Sequence, residues 1–412
     1  MKEICPKEKC TACTACYSTC AHGAIAMVEE GAGYLYPKID LEKCIDCNAC
    51  IKVCPVNNPL SLNNPTHSIA AYSKMPEDRN SSASGGAASV ITQYILKNKG
   101  IVYGSVQENI TDIKHQRIEN LSLSYKLKGS KYVHSYIGDN YRYVRNDLKE
   151  GKTVLFIGTP CQVAGLKSFL RKDYPNLYLI DLCCHGIPSQ KILMDNIDYI
   201  RTKKNIPSVE HLQVSFREKK LVNQIWSIIN PNLVSSEIKY GLFLHCGNER
   251  VYAKYVPDDY YISGFLSGLF FRPNCFTCPY ARKERVSDIT LADHWGMGKS
   301  DNPEMKVHKG LSTILVNTAK GKRLFEQIHD EIVFEERSWK ESIDGNGQFK
   351  HAFGKPKNYE AFQIDYQCLG YVEACRKHLV EYAKKQKLIK IKNRIGKLPF
   401  VRTAYHLIKN RL

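Results

Sequence analysis

Two stretches near the front of the chain decide its reading: CTACTACYSTC at residues 10–20 and CIDCNACIKVC at residues 44–54. Each spaces its cysteines C-x2-C-x2-C-x3-C. The first run holds Cys10, Cys13, Cys16 and Cys20. The second holds Cys44, Cys47, Cys50 and Cys54, with Pro55 directly after. Three thiolates on one tight loop can hold three irons of a cubane. The fourth iron needs a ligand from another direction, and the partner run supplies it. The expected sets are therefore Cys10, Cys13, Cys16 and Cys54 for one [4Fe-4S] cluster, and Cys44, Cys47, Cys50 and Cys20 for the other. Ala12, Ala15 and Ala49 leave room for an inorganic core. Zinc knuckles, the competing reading, use close cysteine pairs and not three thiols at x2 spacing twice over. Ala21 stands where the second run has a proline, and Cys5 falls outside the pattern as a bystander.

This is the run of a bacterial two-cluster ferredoxin, a unit complete in about sixty residues. With 412 residues in the chain, two or three domains are expected. Residues 55–68, PVNNPLSLNNPTHS, read as a linker, so the front module (1–60) should be separable. No stretch approaches eighteen apolar residues, and MKEICPKEKC lacks the apolar core of a secretory signal. Seventeen cysteines without an export signal point to a reducing cytoplasm and to metal or redox chemistry.

Beyond the linker the pattern alternates strand and helix. SIAAYS, a small-residue turn at Ser84-Gly85-Gly86, a helical AASVITQYILKNK and GIVYGSV follow one another. A turn at a helix N-terminus is a place for a phosphate. GKTVLFIGTPCQVAGLKSFL (151–170) and NLYLIDLCCHGIPSQKIL (176–193) repeat strand, turn and helix, with cysteines at the strands' carboxyl ends, where open α/β sheets place their sites. With Cys275-x2-Cys278, the thiols Cys161, Cys184, Cys275 and Cys278 lie on three loops, which makes a third iron–sulfur site plausible. No G-x-G-x-x-G or Walker A motif is present.

GSKYVHS, VLFIGTPCQVAGL, DLCCHGIPS, VSFREK and CFTCPYARKERVSDITLADHWG occur in this order, and together they resemble the coenzyme F-420 hydrogenase/dehydrogenase beta-subunit family over roughly residues 65–330. With the ferredoxin front, the chain is similar to longer bacterial members associated with polysaccharide biosynthesis. The resemblance implies an oxidoreductase with FAD. Its electrons pass between the clusters, the flavin and a small-molecule substrate, either a deazaflavin such as coenzyme F-420 or a sugar precursor, with a one-electron carrier such as ferredoxin as partner. It implies a third [4Fe-4S] cluster on Cys161, Cys184, Cys275 and Cys278, with Cys183 left out because Cys184 directly precedes His185-Gly186. It places FAD phosphates on Ser84, Gly85 and Gly86, with Gly129, Ser130 and Lys131 close by. Arg217, Arg272, Arg282, Lys283 and Arg285 are candidates to neutralise a cluster or an anion, or else form a solvated face. His185, Asp293, His294 and Trp295 complete the residues of interest. The expected fold is α+β or α/β: a ferredoxin-like domain, a mixed α/β flavin-binding domain (61–145 and 146–335) and a basic helical extension (336–412).

A non-catalytic iron–sulfur protein that binds nucleic acid or a partner through its basic surface is the alternative, suggested by the net charge of +18. The distribution argues against nucleic acid. Residues 376–412 hold twelve Lys or Arg against one Glu, and no recognition motif accompanies the remaining charge. Leu388, Ile391, Ile395 and Leu398 step by three or four among those basic residues. That is the pattern of an amphipathic helix on an anionic membrane, or of a helix docked on the body, with a break at Pro399 and a second helix from Val401.

Overall fold

The computed structural model describes residues 3–206, 212–219 and 239–395. The two cysteine runs have the same backbone. Ala12 and Asp46 are left-handed (φ 53° and 55°), as are Thr14 and Asn48 (φ 63° and 57°). Thr14 leads into α1 (Ala15–Thr19) and Asn48 into α2 (Ala49–Lys52). Between the runs lies an antiparallel hairpin, β1 (Ile25–Glu30) and β2 (Tyr34–Ile39), paired from Ile25↔Ile39 to Glu30↔Tyr34.

The body is built on an eight-stranded sheet. Its strands are β3 (His67–Ser73), β4 (Ile101–Asn109), β5 (Asp112–Ile118), β6 (Val154–Gly158), β7 (Leu177–Leu182), and later β11 (Ile289–Asp293), β12 (Ser312–Val316) and β13 (Ile332–Glu336). The order is β13-β3-β12-β11-β7-β6-β4-β5. The central four, β11, β7, β6 and β4, are parallel, and the outer strands are antiparallel. Segments 61–145 and 146–335 therefore share one sheet. A second antiparallel sheet holds β8 (Leu212–Glu218), β9 (Lys239–Cys246) and β10 (Glu249–Tyr255) in the order β10-β9-β8.

Alternation along the strands sends side chains to two layers. Leu155 and Val102 face a core with α4 (Ala87–Lys97), which follows α3 (Pro76–Ser81). Val154, Phe156, Ile101 and Tyr103 face the opposite core, with α5 (Asn140–Lys149) and α6 (Pro160–Leu170). Beneath the sheet, Arg285 and Asp181 pair at 3.1 Å with side chains 2% and 0% exposed. This is the mixed α/β architecture, with a ferredoxin-like front and a helical C-terminus, that the sequence pattern implies.

The front module packs against the body, and residues 55–68 are held down where a free linker was expected. Ala32, Tyr34 and Tyr36 of the hairpin lie in one hydrophobic core with Ile192, Leu193 and Ile197 of α7 (Gln190–Lys204) and with Phe362 and Tyr371 near the C-terminus. The hairpin turn presses on α7 so closely that a Cβ on Gly33 (φ +82°) would lie 2.3 Å from Lys191 Cβ. Tyr34 donates its hydroxyl to the carbonyls of Phe270 and Phe271, both at 3.1 Å. Arg142 of α5 caps α1 through the carbonyls of Tyr17, Ser18 and Cys20. The presumed linker is itself held down: Asn63 and Arg285 exchange backbone hydrogen bonds at 2.8 Å, and Leu60 and Leu62 pack on the core. Local composition at 55–68 reads as a linker because its turn residues say nothing about what the segment rests on.

The C-terminal region continues as helices Tyr359–Leu369, Tyr371–His378 and Val380–Ile395. Leu379 is buried, whereas residues 387–392 are all exposed, including Leu388, Ile389 and Ile391. The body does not cover this part of the helix. The expected break at Pro399 and the second helix lie outside the described residues. Among the described residues no helix is long and apolar enough to cross a membrane.

Arg272 ties the module to the body most tightly. It is 3% exposed, and its guanidinium donates to Leu35 O and Cys10 O (both 2.9 Å) and to Asn274 Oδ1 (3.1 Å). Arg272→Leu strands these acceptors and should lower stability by about 2–4 kcal/mol in urea unfolding. Arg272→Lys should recover only part, since an ammonium lacks the fork that spans two carbonyls. A chain lacking residues 1–60 should expose the shared core and aggregate on expression. A monomeric, cooperatively unfolding truncation would refute the shared-core account.

Candidate functional site

The parallel centre of the sheet assembles the site. On adjacent strands β6 and β7, Gly158 pairs with Asp181. Three residues past each stand Cys161 and Cys184, on the same carboxyl edge. Cys161 lies in the first turn of α6, whose N-terminus carries a full capping box: the Thr159 side chain accepts from the Gln162 backbone N–H, and Gln162 Oε1 accepts from Thr159 N at 3.0 Å. Cys275 sits in the 3-10 turn Pro273–Thr277, and Cys278 ends it. The four thiols lie within electrostatic reach of one another. Burial, followed by the thiols of Cys275, Cys161 and Cys278, pushes Cys184 well above the ordinary thiol range. Burial and then Cys278 push Cys275 up to about 12, and burial and then Cys161 push Cys278 up to about 11. Bare thiolates are therefore disfavoured in this space, and iron is the kind of positive charge that would offset the cost. Cys183 faces elsewhere. Its N–H extends the strand ladder to Leu291 O, and its side chain lies among Arg285, Asp181 and Asp293.

In the front module, Cys10, Cys13, Cys16 and Cys54 line one small cavity of ≈ 20 Å³ with Ala12, Ala15 and Val56. Cys5 lines it too, within electrostatic reach of Cys10 and Cys54, although it lies outside both runs. That contact was not legible in spacing, because Cys5 belongs to neither run. Cys20 and Cys50 pack on the same cluster of side chains, while Cys44 is half-buried and Cys47 exposed on the outer loop. Among the described residues no three His, Cys, Asp or Glu side chains converge as ligands of a single ion do. A cubane asks for a wider set, one thiolate to each iron.

Next to the third thiol set lies His185, buried among Phe265, Phe271 and Phe353. Gln348 meets its Nδ1, and its Nε2 has no partner. Burial holds this imidazole down to about 4, hence neutral near pH 7. Asp293, at the end of β11, binds Arg217 Nη1 through both oxygens, at 2.9 and 3.1 Å. Arg217 lies over the rings of Tyr240 and Trp295, at 5.1 and 5.7 Å, and its Nε and Nη2 are buried without partners. His294 points inward to Thr313. Arg285 and Arg272 are structural cations as described, while Arg282 pairs with Glu284 at the surface. Lys283 lines an open groove with Cys278 and Arg282.

Of the expected phosphate contacts, Gly129, Ser130 and Lys131 line a cleft of ≈ 150 Å³, partly open to solvent, with Ser81, Ser82, Ala83, Lys128, Arg217 and Lys219. Ser84, Gly85 and Gly86 are not among its walls. Their turn is packed into the sheet. Gly85 N donates to Ser312 Oγ (3.0 Å), Ser84 Oγ donates to Leu311 O, and a Cβ on Gly85 would lie 2.3 Å from Ala71 O. Small residues serve close packing here, and the neighbouring serines face the cleft instead. Among the described residues, Lys131 and Lys219 have only carbonyl partners: Lys126 and Lys128 for the first, Arg79 and Ser84 for the second. Burial lowers Lys131 to about 7. Burial, then Arg79 and Arg217, lower Lys219 to about 8. Tyr132 stacks on Phe265 at 4.8 Å and neighbours Tyr240. Lys219 and Lys131 lie within the motifs VSFREK and GSKY, and the fold brings them to one cleft.

These features agree with what sequence comparison finds. Residues 151–342 match the C-terminal part of the beta subunit of coenzyme F420 hydrogenase/dehydrogenase, and residues 9–58 and 36–112 match two 4Fe-4S dicluster domain profiles. No curated protein matches. Among solved structures, the chain is similar to one in the F420-reducing [NiFe] hydrogenase complex from Methanosarcina barkeri, with 15% identity, a TM-score of 0.44, and coverage of 78% of this chain and 93% of that one. The protein is an iron–sulfur redox protein in which residues 151–342 are related to the C-terminal part of the coenzyme F420 hydrogenase/dehydrogenase beta subunit, with a 4Fe-4S dicluster region joined in front.

Proposed function

We propose that the protein is a flavin-dependent oxidoreductase with three [4Fe-4S] clusters, exchanging electrons between a one-electron carrier and a small-molecule substrate. The substrate class is a deazaflavin like F-420 or a sugar precursor. The observation that carries the reading is the gathering of Cys161, Cys184, Cys275 and Cys278 at one end of the sheet, together with a cleft whose buried Lys131 and Lys219 have carbonyl and not carboxylate partners among the described residues. Those four thiols would hold the third cluster. Cys10, Cys13, Cys16 and Cys54 would hold the first, and Cys20, Cys44, Cys47 and Cys50 the second. Lys131, Lys219, Arg217, Gly129 and Ser130 suit the phosphates of FAD, which when bound converts between two-electron and one-electron steps. Tyr132, Tyr240 and Trp295 offer faces for a flat ring. Arg217, with two donors free, can hold an anionic group there, and Asp293 fixes its plane.

Anaerobically reconstituted protein should carry about twelve irons and one FAD per chain. Cys278→Ser should lower the iron by about four and spare the front pair. A wild-type content near eight would remove the third cluster.

The cleft lysines give a sign for pH. Each binds phosphate as the ammonium, and a bound phosphate raises its pKa. Affinity for FAD should therefore be highest below about pH 7 and fall as pH rises through 7 to 9, by up to about tenfold per unit. Flavin fluorescence titration measures this. Lys131→Met should weaken binding at pH 6 and flatten the pH 6–8 portion. An unchanged profile would remove Lys131 from the site.

The exposed Leu388, Ile389 and Ile391, set among Lys384, Lys385, Lys387, Lys390 and Lys392, support reversible contact with an anionic membrane surface at about 1 kcal/mol per basic residue before screening. Cosedimentation with anionic vesicles should weaken with salt and disappear on removal of residues 387–412, a cut that leaves the buried Leu379 in place. Equal partitioning of both proteins would eliminate the contact.

A further inference from the structure

Helix α6 carries Cys161 in its first turn and Gly165 one turn on, about 6 Å along the axis. Gly165 meets the front module. A Cβ there would lie 2.8 Å from Cys13 Cβ, 3.0 Å from Cys13 Sγ and 2.9 Å from the Tyr141 hydroxyl. The first thiol set thus touches the helix that bears the third. Two further groups span the same gap. Arg272 donates to Cys10 O, and its own carbonyl accepts the backbone N–H of Cys275. Tyr280, two residues past Cys278, lies within electrostatic reach of Cys161 and Cys278 on one side and Cys13 and Cys54 on the other. The second set points outward: Cys47 is exposed, and Leu41 and Ile45 beside it are 63% and 62% exposed.

We propose that the three thiol sets form a line. Cys20/Cys44/Cys47/Cys50 faces the external carrier. Cys10/Cys13/Cys16/Cys54 lies in the middle and Cys161/Cys184/Cys275/Cys278 innermost, with Gly165 the positioning residue that lets the last two approach. One electron passes at a time. The giving site is oxidised by one and the receiving site reduced by one, and no bond forms or breaks. Because transfer slows steeply with distance, the order of sites is the order of the path.

The proposal rests on the iron–sulfur reading above, and one experiment separates the two. EPR spectra and iron content are measured on reduced, reconstituted full-length protein. Cys47→Ser, without the outer cluster, should show split or broadened signals from two magnetically coupled clusters. Cys13→Ser, without the middle one, should show the innermost cluster uncoupled. In the wild-type chain the innermost cluster should relax faster than in Cys13→Ser, a comparison that stands even if Cys47→Ser sheds both front clusters. Gly165→Leu, or the milder Gly165→Ala, should keep the iron and weaken the coupling. Full iron with equal coupling in both cysteine variants, or with identical relaxation in wild type and Cys13→Ser, overturns the order. Unchanged coupling in Gly165→Leu overturns the role of Gly165. Iron content lacking a third cluster sinks both readings.

Discussion

A guanidinium buried as deeply as that of Arg272 is tolerable only when its donors are used, since an isolated buried charge costs several kcal/mol or more. Its acceptors come from three places: Cys10 in the first cysteine run, Leu35 in the hairpin, and Asn274 in the turn that carries Cys275 and Cys278. The residue therefore fixes the front thiols and the rear thiols in one frame. Tyr34, Arg142 and the core around α7 repeat the same constraint with other chemistry.

The sheet supplies the second frame. Parallel pairing of β6 with β7 puts Cys161 and Cys184 on one edge. The buried Arg285–Asp181 pair holds the following loop against that edge, because Arg285 also donates to the carbonyls of Tyr280 and Arg282. A cation that both closes a loop and neutralises a strand residue leaves the thiols free to face inward.

The cleft shows a different balance. Lys131 and Lys219 spend their donors on carbonyls, which orient an ammonium without cancelling its charge. Burial then lowers their pKa values, and an anion would raise them. At such a site an anion draws Lys131 and Lys219 further toward their charged forms.

Much of this was legible from local spacing. The C-x2-C-x2-C-x3-C runs imply loops with thiols on one side, and the backbone repeats its left-handed positions in both. Strand–turn–helix units around Cys161 and Cys184 were legible from apolar runs ended by Gly and Pro, and the helix at Val380–Ile395 from its basic pattern. Such features depend on residues a few positions apart. Whether residues 55–68 swing free or lie on a core, whether Ser84-Gly85-Gly86 faces a cleft or a strand, and whether Cys5 joins the first thiol set depend on partners up to hundreds of residues away. By itself, then, the sequence determined the local chemistry: which residues carry thiols and charges, and in what periodic order. The tertiary structure decided which of them meet, because close packing and buried hydrogen bonds join residues that lie far apart in the chain.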